Sequence, residues 1–362
     1  MRIVVLMVFL VLASGVVHAV QVDGLYKTFE HVQTQGATER KAAIRQAINR
    51  VAQKVTGRAD VLHHGRLQNA LSNVDAYVEQ FQYSKLDEGI ATGYRLEVTF
   101  QKAALDRVLQ QFDMPIWGSN RPAVVVWLAV ESGSKRYLVG EGTSKTAALI
   151  QKVAKQTGLP VILPLLDLED QRALEFNDVW GMFSERIVQA STRYGAKHVL
   201  FGRLLKEQGN GWKIRWSFIN DQSQFDGESR QQLLTAALRE SLSASADVLA
   251  GIYAPRGNTF ASDVMLDVVG ISNLKDFSHI SKYLASLDAV SQVNWSQVRP
   301  NKASFVLKLT ADVQGLKEQI ALSTVLEAAP SPEPRLPIGG SVQTTVAQPL
   351  IEPRLTLYYR AR

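Results

Sequence analysis

The chain has 362 residues, 46% apolar and 20% charged, with 40 Lys and Arg against 34 Asp and Glu for a formal net charge of +6. That balance is globular; it excludes collagen-like and extended disordered chains, and the length suits two or three domains. Cysteine is absent, which excludes disulfides, thiolate metal centres, cysteine nucleophiles and a cysteine-linked lipid anchor.

Residues 1–19, MRIVVLMVFLVLASGVVHA, read as an address. Arg2 is a basic start, Ile3–Ala13 an unbroken apolar run, and Val17-His18-Ala19 puts small or aliphatic residues where signal peptidase inspects the chain. We expect a Sec signal peptide cleaved after Ala19. Ser14-Gly15 interrupts the run before the ~18–20 apolar residues that a bilayer span needs. No later stretch is long and apolar enough, so a mature chain without a transmembrane span is expected. An exported chain without cysteine suits the bacterial periplasm. The isoelectric point near 9.4 then turns attention from nucleic acid to acidic envelope polymers or headgroups, beside the plainer reading of a soluble surface.

Residues 20–113 form a first block. A strand is expected within Leu25–Gln33, followed by a helix from Glu39 to Thr56 capped by Thr38. Ile44, Ile48, Val51 and Val55 recur at helical spacing, and Arg40, Lys41, Arg45, Arg50 and Lys54 stay outside that stripe. Gly57 is the stop signal. A short helix covers Arg66–Leu71. One strand carries Tyr77, Phe81 and Tyr83 on a face; after a turn at Asp87-Glu88-Gly89, another alternates through Tyr94, Leu96, Val98 and Phe100. A closing helix holds Leu105, Val108, Leu109 and Phe112. The order is β-α-β-β-α, with helices on one face of an antiparallel sheet.

Residues 121–254 form a second block. Ala123–Val130, AVVVWLAV, reads as a strand covered on both faces. A helix over Ser144–Gln156 stops at Gly158. Leu159–Leu166 follows as a second strand, limited by Pro160 and Pro164. A helix from Val179 to Tyr194 ends at Gly195, and Ala196–Leu204 is a third strand. Gly209-Asn210-Gly211 makes a hairpin into a strand alternating Trp212, Ile214, Trp216 and Phe218. A helix from Ser229 to Ile252 closes the block. The pattern implies a parallel α/β sheet with an antiparallel edge.

Residues 259–328 repeat the β-α-β-β-α order: strand Val264–Val269, helix Leu274–Ser286, strands Val290–Val298 and Ser304–Leu309, and a helix over Val313–Leu322. The first and third blocks share that order but no matching residues. The last segment, 329–362, is a Pro-rich tail with Pro330, Pro332, Pro334 and Pro337 before Gly339-Gly340. Leu355, Leu357 and Tyr359 alternate near its end. A frayed terminus is expected there, the alternative being a strand that docks on a neighbour's sheet edge.

These motifs carry a resemblance. TERKAAIRQAINRVAQKVTG (Thr38–Gly57), RPAVVVWLAV (Arg121–Val130) and AKHVLFGRL (Ala196–Leu204) resemble an uncharacterised gammaproteobacterial exported family, a domain of unknown function, number 2066. More loosely, residues 20–113 resemble the amino-terminal domain of the flagellar T-ring accessory protein. Residues 121–254 resemble the Tol and curli-secretion amino-terminal domains, where a strand ending in Gly-Arg follows a helix ending in Gly-Ala, as Gly202-Arg203 follows Gly195-Ala196 here. The resemblance implies a periplasmic assembly or adaptor module and assigns no active residues.

Catalytic templates fail where they can be tested. His31, His63, His64, His198 and His279 form no H-E-x-x-H or i, i+4 pair. Gly140–Thr146, GEGTSKT, lacks the third glycine of a dinucleotide fingerprint and the Gly-Lys-Ser/Thr of a phosphate loop. What remains is a helix start with Lys145, able to attract an anion. Ser132-Gly133-Ser134-Lys135 spells S-x-x-K in a turn, without its partner motifs. Asp167, Glu169, Asp170, Glu175 and Asp178 form an acidic patch after the second strand. That patch could act as acid and base or hold a cation, or its members could simply favour helix N-termini. Trp212 and Trp216 share a strand face that is either core or a sugar-binding platform. We therefore expect a non-catalytic accessory or adaptor protein without cofactors, binding an envelope protein or cell-wall polymer and no nucleic acid. The alternatives are a periplasmic hydrolase or ligand-binding enzyme using the acidic patch, and a cell-wall polymer binder.

Overall fold

A computed structural model describes residues 19–86, 92–142, 144–209, 211–220, 223–254, 263–310, 313–330 and 355–361. The leader up to residue 18, the turn at residues 87–89, Thr143, Asn210 and most of the tail lie outside the described residues. The fold is α+β and α/β, in three modules, each with its own sheet.

The first module begins with β1 (Ala19–Gln21), β2 (Lys27–Val32), α1 (Ala37–Thr56), α2 (Gly65–Leu71), β3 (Val78–Lys85), β4 (Tyr94–Phe100) and α3 (Lys102–Gln111). Its sheet runs β2-β4-β3, antiparallel throughout. The apolar stripe of α1 is buried against Leu96, Val98 and Phe100, as its spacing requires. Gly57 ends α1 in the left-handed region at φ 69°. Thr38 is not the cap. Gly36 takes that place without a side-chain bond, and Glu39 reaches back from the first turn to the Gln33 and Thr34 amides at 2.7 and 2.8 Å. A carboxylate inside the first turn serves the same orphan donors and the helix dipole. His64 caps α2, its Nδ1 accepting from the Leu67 amide at 3.2 Å.

A short β5 (Asn120–Pro122) pairs with β1 and leads into the second module: β6 (Val124–Ser132), β7 (Lys135–Leu138), α4 (Lys145–Thr157), β8 (Val161–Ile162), α5 (Leu168–Ala173), α6 (Phe176–Trp180), α7 (Ser184–Ser191), β9 (His198–Lys206), β10 (Trp212–Asn220), β11 (Ser223–Gln231) and α8 (Leu234–Tyr253). The sheet runs β11-β10-β9-β6-β7, with β8 beside β6. β6 pairs in parallel with β8 and β9, and the other pairs are antiparallel. α4 and α8 cover one face, and α5 to α7 cover part of the other.

Three expectations change here. The Leu159–Leu166 strand shrinks to Val161–Ile162, because Pro160 and Pro164 bring no amide to the ladder. The Val179–Tyr194 helix is interrupted: α6 ends at Gly181, Met182 turns left-handed at φ 58°, and Phe183 stands exposed. As expected, the S-x-x-K residues form a turn, the one between β6 and β7, with Gly133 at φ 61°. The last helix starts at Leu234, and Ser229–Gln231 belongs to β11, an edge strand whose polar residues carry no apolar alternation.

The third module holds β12 (Asp263–Ile271), α9 (Leu274–Ala285), β13 (Val290–Arg299), β14 (Asn301–Leu309), α10 (Val313–Ala321), β15 (Leu326–Ala328) and β16 (Thr356–Ala361), in the order β13-β14-β12-β16-β15. The expected frayed end is therefore corrected. Within the 329–362 tail, the Leu357 and Tyr359 side chains are buried in this module's own core, where alternation lets one face of β16 meet the helices. No helix among the described residues is long and apolar enough to cross a membrane.

Candidate functional site

The acidic patch closes on itself. Asp167 caps α5, its Oδ1 accepting from the Glu169 and Asp170 amides. The Arg193 guanidinium forks onto Asp167 at 2.7 and 2.9 Å and reaches Asp170 Oδ1 at 2.8 Å. Asp170, with its side chain fully buried, also accepts from the Leu166 amide at 2.8 Å and the Tyr194 hydroxyl at 2.5 Å. The Arg193 hydrogen bonds hold the Asp167 carboxyl well below the usual carboxylate range. Burial and the bond to Asp170 push the Tyr194 phenol up. Asp178 accepts from the Glu175 amide and pairs with Arg186. All four carboxylate oxygens of Asp167 and Asp170 thus have donors. The described residues contain no group of His, Asp or Glu arranged to hold a metal ion.

The other candidates scatter. Lys145 is exposed on the first turn of α4, where the Ser144 hydroxyl already accepts from the Ala147 amide at 3.1 Å. Trp212 and Trp216 pack under α8 rather than forming a platform. Trp216 lies between Gly202 and Gly227 on the neighbouring strands, and a Cβ at Gly227 would strike its ring. Lys145, the two tryptophans and the aspartates therefore do not converge on one site.

Two other clusters come together that sequence reading missed. The first is the module junction. Arg121 is completely buried. Its guanidinium donates to the carbonyls of Gly118 (2.7 Å), Gly158 (2.9 Å), Lys54 (2.8 Å) and Trp117, and lies 4.2 Å from the Trp117 ring centre. It therefore joins the C-terminal ends of α1 and α4, where helix dipoles favour a cation. Burial pushes its pKa down to about 9, which leaves it protonated at neutral pH. Lys54, expected on the solvent side of α1, is buried instead and donates to the Gly24 and Lys27 carbonyls at 2.8 and 2.7 Å. Burial, with Arg121 and Lys155 nearby, lowers it to about 8.

The third module reaches the same junction through Asp288, whose carboxylate lies against Gly118. Burial raises Asp288 to about 6, with Lys102 and Arg121 pulling it back and Asp106 adding to the rise. A carboxyl that holds its proton more tightly folded than unfolded favours folding in acid. That contribution is lost as pH climbs from its ordinary value through about 6. Asp288→Asn should accordingly raise unfolding free energy by about 1–3 kcal/mol near pH 7.5, the gain vanishing by about pH 4. Urea titrations at the two pH values measure it, and parallel wild-type and variant profiles would refute it.

The second cluster lies on the sheet face of module two that α5 to α7 leave partly open. Arg203 on β9 and Arg215 on β10 are directly opposite. Glu228, opposite Arg215 on β11, bridges Lys213 at 2.8 Å instead. Among the described residues neither Arg203 nor Arg215 closes an ion pair with a carboxylate. Arg203 lies 5.6 Å from the Trp180 ring, Phe176 and Trp180 stack at 5.5 Å, and Arg136 covers Phe176 at 4.6 Å. The hairpin at Gly209–Gly211 carried the missed signal, because its register sets Arg203 against Arg215. Like charges opposed across strands cost stability unless an anion joins them.

With this geometry in view, comparison with known proteins finds a match to a family model over part of the chain. Residues 19–118 match a Domain of unknown function (DUF8605). No curated protein matches the chain. Among solved structures, the crystal structure of a formyltetrahydrofolate deformylase from Pseudomonas putida is similar at 12% identity, over 52% of this chain and 88% of that one, with a TM-score of 0.16. So low a score supports neither a shared fold nor shared chemistry.

Proposed function

We propose that the chain is a non-catalytic accessory or adaptor protein of the periplasm, exported by a cleaved Sec signal, that binds an acidic component of the cell envelope. The carrying observation is the opposed Arg203–Arg215 pair beside the Phe176–Trp180 stack, open cationic and aromatic chemistry on an otherwise packed sheet. The quenched acidic patch favours this reading over a hydrolase, since Asp170 is buried and both its oxygens already accept hydrogen bonds. The likeness of the second module to Tol and curli-secretion domains agrees with the same role.

The test compares wild type with Arg203→Gln/Arg215→Gln. Removing an opposed like-charge pair should leave stability unchanged or raise it by up to about 1 kcal/mol. Retention of envelope extract or purified peptidoglycan should fall at least tenfold, and wild-type retention should fade as salt rises. Equal retention by both proteins, or none by either, would remove this reading.

A further inference from the structure

Where module three meets the paired strands β1 and β5, the structure holds a partly open cavity of about 260 Å³. Its walls come from distant stretches of the chain. Gln21 on β1, with Ser119 and Asn120 at the start of β5, forms one side. That side is zipped by the Gln21–Asn120 strand pair and by the Val22 amide, which donates to the Ser119 carbonyl at 2.8 Å. Tyr283 and Ser286 at the end of α9, with Ser323 and Thr324 between α10 and β15, form the other side. Every residue of this lining is polar and none is charged. Two hydroxyls are already engaged: Ser286 Oγ donates to the Tyr283 carbonyl at 2.7 Å, and Ser323 Oγ accepts from the Val325 amide at 3.0 Å. The side chains of Gln21, Ser119, Asn120 and Thr324 close no hydrogen bond among the described residues. Burial pushes the Tyr283 phenol up to about 12, so it too stays uncharged at neutral pH.

That lining selects a class of ligand. An ion entering it would give up its water for a wall without a counter-charge. An apolar molecule would strip water from the amides and hydroxyls and return no hydrogen bond. A neutral, polyhydroxylated ring does neither, because each of its hydroxyls donates and accepts, as the amide and hydroxyl side chains here do. Tyr283, the aromatic member of the wall, suits the C–H side of such a ring. The volume lies just below the ~300 Å³ at which pockets for drug-sized ligands begin, which fits one ring rather than a chain.

We infer that this cavity binds a single neutral sugar ring, free or as the end unit of a glycan. The inference does not depend on the proposed acidic partner. A bound sugar touches both the β1–β5 pair and module three, so it should also raise the melting temperature. Calorimetric titration of the purified protein with glucose, galactose, N-acetylglucosamine and the trisaccharide of the last tests it, with glucuronate and glucose 6-phosphate as charged counterparts. At least one neutral sugar should bind at one site with a Kd of about 1 mM or tighter, and the charged counterparts at least tenfold more weakly. Salt should leave this binding unchanged, which separates it from charge-driven retention at Arg203 and Arg215. Asn120→Ala and Thr324→Val, one on each wall, should each weaken binding about fivefold or more while keeping the far-ultraviolet spectrum and the ligand-free melting temperature. Gln21→Ala, at an exposed position, repeats the test if either variant fails to fold. A trisaccharide that binds as well as its monosaccharide assigns the end unit of a glycan, and one that does not assigns the free sugar. The inference is overturned by no saturable binding of any neutral sugar at about 10 mM, by equal affinity for the charged counterparts, or by binding that the variants leave unchanged.

Discussion

Arg121→Met is expected to destabilise the chain by more than about 4 kcal/mol, the largest effect of any single substitution considered. The methionine fills similar volume but leaves the carbonyls of Gly118, Gly158, Lys54 and Trp117 without their donor, at about 1–3 kcal/mol for each buried group left unsatisfied. Arg121→Lys keeps a charge but cannot reproduce a planar fork of donors, so about 2–3 kcal/mol should be lost. Because the guanidinium joins α1 to α4, the methionine variant should also uncouple the first two modules. Calorimetry should then show two transitions in place of one cooperative unit spanning both modules. A loss below about 1 kcal/mol with an unsplit transition would show that the junction is held by other contacts.

The other large effect is expected at Asp170. Asp170→Ala leaves the Tyr194 hydroxyl and the Leu166 amide without that acceptor and takes one of the carboxylates from Arg193, which keeps its fork onto Asp167. Each polar group so left unsatisfied costs about 1–3 kcal/mol, so a loss of about 2–4 kcal/mol is expected. Leu166 already sits in the left-handed region at φ 54°, so α5 should loosen first. Amide exchange over Leu166–Ala173 together with urea unfolding measures both. A variant that keeps wild-type stability while changing any measured turnover would instead make Asp170 a reacting group.

Local pattern was legible wherever one face of an element meets a core. The α1 stripe, the alternation of β4 and the apolar run of β6 each lie within one segment, and burial follows their periods. β11 escaped because an edge strand with a solvated face needs no apolar alternation. The break between α6 and α7 escaped because Met182 adopts a positive φ that its residue type does not announce. At the acidic patch, the preference of Asp for helix starts was visible at Asp167. Its counterion Arg193 was not, lying 26 residues away.

Composition and short-range spacing by themselves determined the order of the main core strands and helices, the lack of thiol chemistry and the amphipathic faces. These depend on residue type and periods of two or 3.6, which survive in any context. Only the tertiary structure decided that Arg121 joins two helix ends, that Lys54 is buried, that Arg203 lies free of a carboxylate and that the last strand completes the third sheet. Each of those outcomes depends on groups brought together from distant parts of the chain. A charge or a polar backbone group left there without a partner is what the folded chain must avoid.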